Sequence, residues 1–84
     1  MIDPQLVYDA AQMREGVQSA FWSVLKRRLE TARDMARDRA LNPMESDVNT
    51  HHWRGVYTGI IDLLALPERI IDADQRAQKD HSPH

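Results

Sequence analysis

Apolar residues recur along this chain at helical spacing and never with the alternation of a strand. Asp3-Pro4 makes a helix start, because Asp can accept from free N–H groups and proline fits the first helical position. From Pro4 to about Ala40 there is one glycine, Gly16, and no further proline. Ala, Leu, Met, Gln, Arg and Glu dominate, all strong helix formers. The pattern predicts a first helix over about 4–40. Asn42-Pro43 ends it, since proline lacks a donor and disfavours helix in the preceding residue. Ser46, Asp47, Asn49 and Thr50 offer caps for a second helix over about 47–66. Pro67 then either kinks that helix or opens a short third one, so 67–78 reads as a helix or kinked extension. The polar tail 79–84 is expected to fray. The chain reads as a single all-α domain, 1–84, with no internal repeat.

The two apolar faces differ in width. At about 100° per residue, Leu6, Ala10, Met13, Val17, Ala20, Phe21, Val24, Leu25, Leu29, Ala32, Met35, Ala36 and Ala40 occupy an arc of the first helix. That arc is roughly 200° wide, about twice that of an ordinary surface helix. Trp22 lies at its edge. In the second helix Trp53, Val56, Tyr57, Ile60, Leu63, Leu64, Ile70 and Ile71 form a stripe opposite Arg54, Thr58, Asp62, Arg69 and Asp72. The expected arrangement is a helical hairpin, the long first helix folded against the second. A helix over 4–40 would be roughly 55 Å long, and the second only about half that. A hairpin would leave part of the wide face wet, which points to assembly as a helical oligomer. The competing arrangement breaks the first helix near Gly16 and packs as a compact three-helix bundle.

Three arginines interrupt the wide face: Arg14, Arg28 and Arg39. An arginine there either snorkels to water or meets a carboxylate. Arg28 is predicted to form a buried ion pair with an acid of the second helix or of a neighbouring chain. Gly55 and Gly59 are four apart, a spacing that would let the first helix cross closely. Phe21, Trp22, Trp53 and Tyr57 hold most of the aromatic area and are expected to anchor the core or an interface. With Leu25, Leu29, Ile60 and Leu64 they form the predicted oligomer or partner interface.

Composition narrows the chemistry. Eighty-four residues bury a thin core, and small domains commonly supplement one with disulfides, metal or a partner chain. There is no cysteine, so disulfides and thiolate zinc sites are excluded. Eleven basic and thirteen acidic residues give a net charge of −2, not that of a nucleic-acid coat. The first ten residues lack the basic and apolar regions of a signal peptide. The longest apolar run, around Ile60 to Leu66, falls short of the ~20 residues that span a bilayer. A soluble, cytoplasmic protein with no membrane partner is expected.

No active site is expected. His51 and His52 are adjacent and point about 100° apart on a helix; Asp47 lies four before His51, but no third ligand is evident. His81 and His84 lie in the tail. The serines occupy no nucleophile motif, and no Gly-rich phosphate loop exists. No catalytic residue, metal or cofactor is therefore assigned. Lys26, Arg27, Arg28, Arg33, Arg37 and Arg39 form a basic cluster, half cancelled by Glu30, Asp34 and Asp38. Lys26–Glu30, Glu30–Arg33 and Asp34–Arg37 are at intrahelical pairing distance. A solvated helix is the expected reading of this cluster, and nucleic acid is not the expected partner.

Trp53-Arg54-Gly55, Ile60-Ile61, Leu63-Leu64 and Leu66-Pro67-Glu68 follow an earlier helix running from Phe21-Trp22 to Glu30. This combination resembles short helical proteins encoded among the head-assembly genes of tailed phages. The resemblance covers about half of the chain. It implies a non-enzymatic structural or assembly role in a virion or its precursor, and hence a place in host cytoplasm or virion. The expected function is a helical protein–protein interaction module that self-associates and binds another protein. The alternative is a small regulator that binds DNA or inhibits a host enzyme through the surface from Lys26 to Arg39.

Overall fold

The computed structural model describes residues 2–80, and these are all-helical, with no strand among them. Three helices follow in order: α1 (Pro4–Gly16), α2 (Ala20–Ala40) and α3 (Asp47–Asp80). The start of α1 is the one expected. Asp3 accepts from the Gln5 N–H at 2.9 Å, and Pro4 occupies the first turn.

The single helix predicted over 4–40 is two helices. The cause is local and lies in the hydroxyl of Ser19. It donates to the Gly16 carbonyl at 2.6 Å and accepts from the Trp22 N–H at 3.1 Å. One side chain thus closes the end of α1 and caps the start of α2. Between them the backbone tightens, with Gln18 N–H bonding Glu15 and Ser19 N–H bonding Gly16. Gly16 lowers the cost of the interruption rather than turning the chain, because no described residue adopts positive φ. A Cβ built at Gly16 meets nothing within 4 Å. Gly16→Ala is therefore expected to stabilise the chain by about 0.5–1 kcal/mol. Ser19→Ala is expected to cost about 1 kcal/mol. Urea unfolding of both variants checks the pair; a neutral Ser19→Ala would show that the cap does not hold the break.

The turn between α2 and α3 uses the polar residues the sequence offered. Asn42 accepts from the Met44 N–H at 3.0 Å through its side chain. Ser46, of the four candidate caps, starts α3, accepting from the Asn49 N–H at 3.2 Å. Asn49 in turn donates to Glu45 at 2.7 Å.

Helix α3 has 34 residues and contains Pro67. Proline removes the donor that would meet the Leu63 carbonyl, yet the helix carries on to Asp80. So 67–78 is an extension of the second helix rather than a third one, and 79 and 80 are helical rather than frayed. The rest of the predicted tail, with His81 and His84, lies outside the described residues. A second helix half the length of the first was the premise for a wet face. With 13 residues in α1, 21 in α2 and 34 in α3, that premise falls.

The chain divides into two compact units. In one, residues 2–23 group with 65–80, so α1 packs with the later part of α3. In the other, residues 24–64, α2 packs with the earlier part of α3.

Candidate interaction surface

Among the described residues the only buried apolar side chains besides Pro67 are Ala10 and Ala36. The largest fully buried side chain is a carboxylate, Asp74. That is the reverse of an ordinary core, where Leu, Ile and Phe are most often enclosed.

In the unit of residues 24–64, the half-buried residues of α2 include Leu29, Arg33 and Ala40, which share an arc with buried Ala36. Those of α3 are Thr50, Trp53, Val56, Tyr57, Ile60 and Leu64. Five residues of the predicted interface, Leu29, Trp53, Tyr57, Ile60 and Leu64, thus already contribute to packing within their own unit. Trp22 is half-buried as well. The other two are open: Leu25 is 38% exposed and Phe21 76%. Val24 and Met35, on the same arc of α2, are 50% and 53% exposed. Further exposed apolar residues include Val7 and Tyr8 on α1, Leu41, Met44 and Val48 around the turn before α3, and Ile61, Leu63 and Leu66 on α3, of which Leu63 belongs to the predicted apolar stripe.

The three arginines of the apolar arc meet three fates. Arg14 donates to Asp74 at 2.8 Å. The Gln78 amide adds donations to both oxygens of that carboxylate, each at 3.1 Å. The Arg14 hydrogen bond first, and then that of Gln78, hold the Asp74 carboxyl below its ordinary value; burial opposes them and is weaker than either, and the guanidinium charge adds a smaller lowering. Arg39 lies over the Trp53 ring, 4.9 Å from its centroid. There the cation meets the negative face of the ring, and His52 closes on the same ring edge-on at 5.1 Å. Arg28, predicted to form the buried pair, is exposed and makes no ion pair among the described residues. It lies exposed on α2, where no acid among the described residues reaches it; the enclosed carboxylate is met by Arg14 instead.

Gly55 and Gly59 do not mark a close crossing, because a Cβ at either meets nothing within 4 Å. Of the predicted intrahelical pairs, Asp34–Arg37 forms at 3.9 Å. Asp34 and Asp38 also meet adjacent arginines, Arg33 at 3.1 Å and Arg37 at 3.7 Å. Lys26–Glu30 and Glu30–Arg33 do not form among the described residues. Lys26, Arg27 and Arg28 are consecutive and exposed. No group of three or more metal-ligating side chains gathers among the described residues, and no helix of theirs is long and apolar enough to cross a membrane.

Comparison with family models, curated proteins and solved structures returns no match.

Proposed function

We propose that this chain is a non-enzymatic helical interaction module that binds copies of itself and takes part in assembling a larger protein particle. The observation that carries the first part is the inverted burial: two alanines and a proline enclosed, while Phe21, Val24, Leu25 and Met35 face water. Full burial of a large apolar side chain contributes about 1.5–3 kcal/mol over leaving it exposed. Among the described residues no large apolar side chain gains that full amount. A second surface is one remedy for a small domain that has no cysteine to form disulfides. The assembly role draws on the resemblance of the Phe21–Glu30 and Trp53–Glu68 segments to small phage head-assembly proteins.

Sedimentation equilibrium tests the proposal. A mass at a multiple of 9.7 kDa is expected at micromolar concentrations. A single-chain mass persisting to about 100 µM would rule out association of useful strength.

A second reading is favoured by one observation, the exposed run Lys26-Arg27-Arg28 without ion pairs among the described residues. It makes the chain a small regulator contacting DNA or a host enzyme through α2. Duplex DNA binding that weakens steeply with salt would favour it, since phosphate contacts release counterions.

A further inference from the structure

We propose that the α2 face carrying Val24, Leu25, Arg28, Ala32 and Met35 seats a second copy of this chain, and that Arg28 pairs there with a carboxylate on that copy's acidic part. This rests on the self-association reading and gives it a surface and a partner group. The five positions fall on one arc of roughly 100° with Arg28 at its centre. All five are exposed, and they lie beside the arc of Leu29, Ala36 and Ala40 that serves packing within the unit. An apolar stripe on a solvated helix needs a cover, and an arginine in its middle specifies what the cover must hold. Arg14 and Arg39, the other arginines of the apolar arc, each have a partner in the chain. Arg28 has none among the described residues. Its planar fork, once desolvated by Val24, Leu25, Ala32 and Met35, matches a carboxylate.

Charge selects the occupant. Residues 24–40 carry six bases and three acids. Residues 2–23 with 65–80 carry seven acids and four bases, and setting aside the Arg14–Asp74 pair leaves that part just as acidic. Placing α2 against α2 of another copy would set basic segment against basic segment, with Arg28 close to its own counterpart. Placing it against the acidic part of the other copy brings opposite signs together, a choice that governs orientation and partner. That part also offers exposed apolar surface in Val7 and Tyr8.

Sedimentation equilibrium on the full chain, with helicity followed by circular dichroism, tests this. Val24→Glu with Met35→Glu is expected to weaken association about 100-fold with helicity retained. Arg28→Glu is expected to weaken it roughly tenfold. Glu15→Lys, Glu68→Lys and Asp72→Lys together should weaken it comparably. Combined with Arg28→Glu, their effect should be less than the product of the two, as for groups in contact. A wild-type chain that stays single at every concentration overturns the self-association reading and this inference with it. A wild-type chain that associates while the Val24/Met35 and Arg28 variants associate equally well leaves that reading standing and overturns this surface. Strictly multiplicative effects of the acid and arginine changes overturn the pairing. Should the Val24/Met35 variant lose helicity, Arg28→Glu and Arg28→Met decide, since both alter an exposed side chain. Association unchanged in both would overturn the proposal.

Discussion

The thermal midpoint of this chain is expected to rise with protein concentration, by roughly 3–6 °C for each tenfold increase. The reasoning starts from burial. A monomer that encloses Ala10 and Ala36 but leaves Phe21, Val24 and Met35 half or more exposed gains little from the hydrophobic term on its own. If folding is completed by a second copy, mass action makes the folded state more stable as the chain becomes more concentrated. Circular dichroism melts over two decades of concentration measure this directly. Superimposable melts would mean that the three helices stand without help, and the proposed function would lose its physical basis.

Asp74→Asn is expected to lower stability at neutral pH and to make little difference at about pH 2. The fully buried Asp74 accepts from Arg14 on α1 and from Gln78 one turn later on α3. These donors favour the ionised form, so the folded carboxyl titrates below its unfolded value of about 3.9. A lowered folded value contributes stability that is present above the unfolded value and disappears as pH falls through the folded one. Wild type should therefore lose stability between about pH 5 and pH 2 along a limb that the Asn variant lacks in part. Asp74→Ala should be worse at neutral pH, by about 5 °C or more in midpoint, because it removes the acceptor that ties α1 to α3. Parallel acid limbs for wild type and Asp74→Asn would show that this carboxylate has no linkage to folding.

Helix starts and stops were largely legible in the sequence, because caps are local chemistry. Asp3-Pro4, Asn42 and Ser46 each act where their side chains suggest. The break at 17–19 was harder to see because no proline marks it. The signal was present as Gly16 three residues before Ser19, a weak helix former placed to meet a capping hydroxyl. Pro67 leaves a kinked extension and a third helix equally open to a sequence reading, and the chain takes the extension, since a helix packed against its own unit can forgo one hydrogen bond. The fate of the arginines depends on distance along the chain. Arg14 and Asp74 are 60 residues apart, and no periodicity in α1 announces which acid of α3 will be enclosed. The predicted interface likewise mixed two populations, because apolar spacing marks a face without saying whether its own unit already covers it.

An enclosed aspartate in place of an enclosed leucine also changes which substitutions this chain can absorb. Trimming a large apolar residue elsewhere commonly opens a cavity and costs about 2–5 kcal/mol. Here no large apolar side chain among the described residues is fully enclosed, so drift at Leu29 or Ile60 should be cushioned by the water already beside them. The intolerant positions move to small and polar sites: Ala10 and Ala36, where a larger side chain has no room, and Ser19 and Asp74, whose oxygens each serve two partners.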